Sequence, residues 1–192
     1  GGLTAFVEGR LARRIPSPRG GSDSLERDVR KLAAIEALSR HGRADARLLG
    51  SLEIAPQQWP TAALLDWLAI LRRVDGVPNR AERLDEARRL LQARRVAGGT
   101  TLRFADEAGD GWWWLMAGAD ANAARLLLTA VEEGAPWRDD LPRLVTGLMA
   151  RLDAQRGGAF ATTTANVWTV LALQRFSSMR IRRRPTLWCE MN

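Results

Sequence analysis

The strongest constraint on the fold of this chain is the spacing of its apolar residues. Strand-type alternation is nearly absent, and helical spacing recurs over most of the sequence. Steps of four and three residues place one stripe on an amphipathic helix that Gly42 ends, formed by Leu25, Val29, Leu32, Ile35 and Leu38. Residues 81–95 carry a similar single stripe. Both segments are therefore predicted to be outer helices with one buried face.

A second kind of segment is apolar on nearly every side. Residues 61–74 hold one acidic residue, Asp66, among leucines, alanines, Trp67 and Ile70, and residues 164–176 are comparably apolar. A helix of this kind is buried all round. Because short loops make neighbouring helices antiparallel, the two kinds predict an all-α fold of helical hairpins with inner helices enclosed by outer ones.

Shorter segments complete this pattern. We expect short helices over residues 3–14 and 44–52, a brief apolar helix over 112–117, and an extended stretch within 98–104. Thr61 and Asp120 are predicted N-caps, and Asp139 or Asp140 is predicted to cap a helix with Pro142 in its first turn. A faint repeat aligns the segments that begin at Thr61 and Thr164, as stacked helical hairpins can produce.

Composition excludes several functional classes. The apolar share of 46% and charged share of 27% are ordinary for a soluble globular protein. No apolar run approaches the roughly 18 residues of a membrane span. The net charge of +7 partly reflects Arg180, Arg182, Arg183 and Arg184, which lack the interleaved aromatic residues of a nucleic-acid site. We interpret the charge as a solvated, arginine-rich surface that binds no specific nucleic acid.

Chemistry-bearing residues are few. Cys189 and His41 are the only residues of their types, so no internal disulfide, zinc site or histidine-dependent triad is predicted. His41 suits the C-terminal end of a helix dipole, and the Asp139–Asp140 pair suits helix capping better than acid or metal chemistry. The run Trp112–Trp114 spreads by about 100° per residue on a helix, which favours filling a seam between layers over forming a sugar-binding platform. We therefore predict no catalytic, cofactor-binding or metal-binding residue.

Three stretches carry a resemblance to a known family. They are TTLRFADEAGDGWWWLMAGADANAARLLL from Thr101, WRDDLPRLVTGLMARL from Trp137 and TTTANVWTVLALQRFS from Thr162. Together with the upstream stretches RKLAAIEALSRHG and WPTAALLDWLAIL, these sequences resemble bacterial alpha-2-macroglobulin-like proteins over roughly residues 3–177. The stretch from Thr162 is the most specific part.

The resemblance implies an α/α toroid of inner and outer helices, the thioester-type domain of a large, often membrane-anchored, periplasmic protease trap. In that family a protease cuts a bait segment, the trap changes shape, and an internal Cys–Gln thioester captures the attacker. The chain is then expected to be a partial toroid domain over 1–177, whose partners are target proteases and the rest of its parent chain. Its function is expected to be inhibition by entrapment, without enzymatic activity or a cofactor.

This sequence departs from the family at the reactive centre. The family's C-x-E-Q motif does not occur, and Cys189-Glu190-Met191-Asn192 has the wrong order and follows the helices. No reactive residue is carried over, and residues 178–192 are predicted to be a basic tail outside the domain.

Two other functions remain open. An α/α-toroid enzyme of the terpene-cyclase or prenyltransferase kind would use a turn like that at Gln155, Gly157, Gly158 and Phe160, but Trp137 stands where the first acid of its D-x-D-D pattern belongs. A helical-repeat interaction module that binds acidic partners is the third possibility.

Overall fold

The computed structural model describes residue 2 and residues 23–98, 101–104, 112, 115–155 and 157–182. The predicted helix over 3–14 lies outside these residues. Three 3-10 helices span Ala46–Ser51, Pro56–Gln58 and Ala135–Trp137, and a hairpin pairs strand β1 (Arg95–Gly98) with β2 (Thr101–Phe104). The α-helices of the described residues are α1 (Asp23–Arg40), α2 (Thr61–Arg73), α3 (Arg80–Ala93), α4 (Ala119–Glu133), α5 (Leu141–Asp153) and α6 (Thr163–Arg182). The all-α prediction is confirmed.

The described residues fall into two compact units. One holds α1–α3 together with Trp112 and Leu115, and the other holds β2 and α4–α6. In the first unit α2 contacts both α1 and α3. Its side chains are buried around the whole axis, including Leu64, Leu65, Trp67, Leu68, Ile70 and Leu71. The prediction that 61–74 forms an enclosed inner helix is therefore confirmed within this unit.

The hydrogen-bond partners at the two ends of α2 differ from those expected from the sequence. Pro60 occupies the N-cap position, and the Thr61 hydroxyl accepts a hydrogen bond from Arg94 at 3.4 Å instead of capping the helix. At the other end the Arg80 guanidinium donates to the carbonyls of Leu71 and Arg72, at 2.5 and 2.8 Å. Helix C-termini leave such carbonyls without intrahelical donors, so Arg80 closes α2 from the start of α3.

Buried charges tie α1 to the segment before α2. Asp28 is fully buried, and its Oδ2 accepts the backbone N–H groups of Glu53 and Ile54, both at 2.7 Å. Lys31, also buried, donates to the carbonyl of Ser51. The segment after α1 is irregular, with a 3-10 helix over Ala46–Ser51, and these side chains supply hydrogen bonds that regular secondary structure would otherwise provide.

In the second unit α4 is the central helix, with contacts to α5, α6 and β2. The N-cap of α4 is Gly118, and Asp120 forms an ion pair with Arg151 at 3.1 Å, so the predicted Asp120 cap is wrong. Asp140 does occupy the N-cap position of α5, with Pro142 in the first turn as expected, but its side chain makes no capping hydrogen bond.

Candidate functional site

The helix α6 begins in the stretch that carries the most specific resemblance, and polar side chains fix its start. The Thr162 hydroxyl accepts the backbone N–H of Ala165 at 3.3 Å, as an N-cap does. The Asn166 amide accepts the N–H of Phe160 at 2.8 Å and donates to the Phe160 carbonyl at 2.9 Å. Thr162 and Asn166 therefore hold the preceding loop against the first turn of α6.

One face of α6 is buried and consists of small side chains. Ala165, Thr169 and Ala172 follow one another at steps of four and three residues and are all buried. This helix packs against α4, whose buried residues include Ala121, Ala123 and Ala124. Small residues on both sides allow the helix axes to approach closely, because interaxial distance depends on the side chains at the contact.

The opposite face of α6 exposes three apolar side chains beside the exposed Gln174. Val167, Val170 and Leu171 expose 52%, 65% and 41% of their surface, and their spacing of three and four residues places them side by side. We call these three residues the α6 stripe. The expectation that residues 164–176 are enclosed on all sides is therefore wrong, because α4 covers only one side of this helix among the described elements.

Two residues border the α6 stripe. Met116 is 72% exposed, and the Thr164 hydroxyl donates to its Sδ at 3.6 Å, one turn before Val167. Met116 also has a positive φ of 58°, a backbone conformation that is uncommon for residues other than glycine. On the flank, the Arg125 guanidinium of α4 lies over the Trp168 ring, 5.2 Å from its centroid. Met116 therefore extends the apolar surface, while the Arg125–Trp168 contact places a charged group at its edge.

The predicted aromatic seam is only partly described. Trp112 lies in a turn, and its carbonyl accepts the N–H of Leu115 at 2.8 Å. The described residues of 112–117 therefore form no α-helix, whereas a brief helix was expected; Trp113 and Trp114 lie outside the described residues. Trp137 is fully buried, and its indole N–H donates to Glu133 Oε2 at 2.6 Å. Trp137 is thus a core residue of the second unit.

The remaining candidates do not converge on one place. Asp139 is exposed in the turn before α5, and His41 is exposed in the turn that follows α1. Gln155, Gly157 and Gly158 form a turn after α5, with Phe160 buried beside it. Cys189, Arg183 and Arg184 lie outside the described residues. α6 continues past residue 177 as far as Arg182, and the boundary predicted between domain and tail stays a prediction.

A shifted pKa is found at Glu36, which is not part of the α6 stripe. Burial raises the pKa of Glu36, but hydrogen bonds and charge from Arg40 and Arg73 outweigh burial, and the pKa lies below its ordinary value. Glu36 Oε1 is 2.8 Å from Arg40 and 2.7 Å from Arg73. This cluster joins α1 to the end of α2 and is explained by structure alone.

Among the described residues, no group of three or more His, Cys, Asp and Glu side chains is placed to hold a metal ion. None of the helices in the described ranges is long and apolar enough to cross a membrane.

Comparisons with family models, with curated proteins and with solved structures each found no match to the chain. Helical spacing could have indicated the stripe, but neither Met116 nor Arg125 carries a sequence signal that would place it there.

Proposed function

We propose that the chain is a non-catalytic scaffold segment of a protease-trapping inhibitor similar to bacterial alpha-2-macroglobulin-like proteins. The observation that carries the proposal is the exposed α6 stripe, which lies in the stretch where the resemblance is most specific. In this proposal the segment belongs to a partial α/α toroid, the parent protein is periplasmic, and its external partners are target proteases.

The occupant of the α6 stripe is a further helix of the parent chain. The stripe is apolar and uncharged, whereas its edges carry Arg125 and the exposed Arg175. Helix pairs in layered all-α folds bury surfaces of this composition. Val167, Val170 and Leu171 are each roughly half exposed, so covering one of them recovers about 1 kcal/mol, near half of what full burial contributes. A covering helix is therefore favoured wherever one is tethered nearby.

The experiment uses the longer polypeptide read from the gene on both sides of this segment. Incubated with trypsin, it should retain the protease in a complex that cleaves small peptides but no longer cleaves large proteins. A triple variant, Val167→Gln, Val170→Gln and Leu171→Gln, should weaken trapping, whereas the exposed control Arg143→Gln should not.

A long form that leaves trypsin fully active on large substrates would contradict the proposal. Turnover of an isoprenoid diphosphate by the same polypeptide would favour the toroid-enzyme alternative instead.

A further inference from the structure

A hollow of about 280 Å³ opens on the first unit, beside the segment that precedes α2. Its apolar wall comes from Leu49 and Leu52, its aromatic wall from Trp59 and Trp67, and α3 contributes Arg83 and Glu86. We call this the tryptophan hollow. Ligand sites are concave and set a few polar groups against apolar walls. The tryptophan hollow exposes polar and apolar atoms in similar proportion, at a size suited to one side chain.

The two tryptophan rings of the aromatic wall pack against each other, and among the described residues one indole N–H lacks an acceptor. The rings of Trp59 and Trp67 meet edge to face, with centroids 5.6 Å apart and an interplanar angle of 77°. Trp59 is only 2% exposed, and within the described part of the chain its indole N–H has no hydrogen-bond acceptor. The N–H itself is buried, so the ring of Trp59 and not its N–H forms the wall of the hollow.

Both signs of charge stand at the rim of the tryptophan hollow. The Arg83 guanidinium lies over the Trp67 ring, 5.9 Å from its centroid, and forms no ion pair with the described carboxylates. Glu86 follows three residues later on α3, and its Oε1 accepts a hydrogen bond from the Gln57 amide at 2.6 Å. Residues at this spacing are neighbours on a helix surface. The rim therefore offers a cation and an anion side by side.

We propose that the tryptophan hollow binds a free apolar α-amino acid. Its carboxylate pairs with Arg83, its ammonium pairs with Glu86, and its side chain contacts the apolar and aromatic walls. A simple anion would meet repulsion from Glu86, and a simple cation would meet repulsion from Arg83. A zwitterion with an apolar side chain matches both charges and the wall between them.

The test is calorimetric titration of the full 192-residue chain with L-leucine and with L-phenylalanine. Both should bind saturably, and two analogues separate the charge contacts: 3-phenylpropionate lacks the ammonium and phenethylamine lacks the carboxylate. Each analogue should bind about tenfold or more weakly than L-phenylalanine, because a hydrogen bond to a charged group contributes about 1.5–3 kcal/mol.

Three variants assign these contacts to residues. Arg83→Gln should lower the affinity for L-phenylalanine about tenfold and leave that for phenethylamine no weaker, since phenethylamine has no carboxylate to lose. Glu86→Gln should lower the affinity for L-phenylalanine similarly and leave that for 3-phenylpropionate no weaker. The matched control Arg89→Gln, also on α3 but outside the hollow, should change neither. Melting curves establish that each variant is folded.

The proposal is overturned if neither amino acid binds saturably up to about 10 mM, a limit beyond which affinity is negligible. It is also overturned if both analogues bind as tightly as L-phenylalanine, or if Arg89→Gln has the same effect as Arg83→Gln. These results would leave the protease-trap proposal untouched, because the tryptophan hollow and the α6 stripe lie in different units.

Discussion

At the scale of single residues, Glu36 shows how a buried carboxylate is kept charged. Glu36 is 7% exposed, so burial by itself disfavours its ionised form. Arg40 comes from the next turn of α1 and Arg73 from the end of α2, and together they favour the ionised form more than burial opposes it. The cluster therefore connects local helix pairing to tertiary packing.

This balance predicts how stability depends on pH. The pKa of Glu36 is below its ordinary value of 4.5 in the folded chain, so its contribution is present above pH 4.5 and is lost as pH falls through the lowered pKa. Glu36→Gln should lower the free energy of unfolding at pH 7 by about 1–3 kcal/mol. Urea unfolding at several pH values should show the difference from the unmodified chain shrinking as the pH is lowered below 4.5. A difference that stays constant with pH would contradict this assignment.

Asp28 gives a second prediction for a single residue. Asp28→Ala leaves the N–H groups of Glu53 and Ile54 without their acceptor, and should cost about 1.5–3 kcal/mol. Asp28→Asn keeps a carbonyl oxygen in the same place and should cost less. Chemical unfolding of the two variants checks the order, and equal losses would mean that the negative charge, which both variants lack, matters more than the acceptor oxygen.

At the scale of elements, α2 and α6 differ in a way that their sequences do not reveal. Both are apolar around the axis, and the same rule predicted burial on all sides for both. The rule succeeds for α2, because α1 and α3 pack on it, and fails for α6, where α4 covers the side formed by Ala165, Thr169 and Ala172. Periodicity reports which faces a helix could bury, whereas the neighbours that bury them are set by tertiary packing.

Matched substitutions in these two helices should therefore behave differently. Leu68→Ala removes a fully buried side chain of α2 and should cost about 2–5 kcal/mol. Leu171→Ala removes a half-exposed side chain of α6 and should cost about 1 kcal/mol or less in the same chain. Urea unfolding followed by circular dichroism measures both, and similar losses would show that Leu171 is covered in solution.

At helix ends, the local sequence predicts where a helix begins and ends, but tertiary contacts decide which groups cap it. The spacing of apolar residues predicted the bounds of α2 within one residue, since α2 spans Thr61–Arg73 and 61–74 was expected. The predicted caps at Thr61 and Asp120 failed, because both side chains bond to arginines that are distant in sequence. Competition from Arg94 and Arg151 is a tertiary effect that a local capping rule does not include.

At the scale of the whole molecule, the described chain consists of two helical units, each built around one central helix. Sequence reasoning predicted the helical class and the buried centre of the first unit. It missed Met116 and the tryptophan hollow, because a turn with positive φ and a concavity shared by Leu49, Trp59 and Arg83 depend on contacts between segments. The candidate surface of the second unit was foreseen as apolar, but its exposure was not.

The most direct test of the central claim, that the α6 stripe is covered by another helix of a longer parent chain, is thiol accessibility. In a Cys189→Ser background, Val170→Cys should react readily with a thiol reagent in the 192-residue chain. In the longer polypeptide its reaction should slow by about tenfold or more, since labelling then requires local opening. The exposed control Arg143→Cys should react at similar rates in both. Equal rates for Val170→Cys in the two proteins would contradict the account.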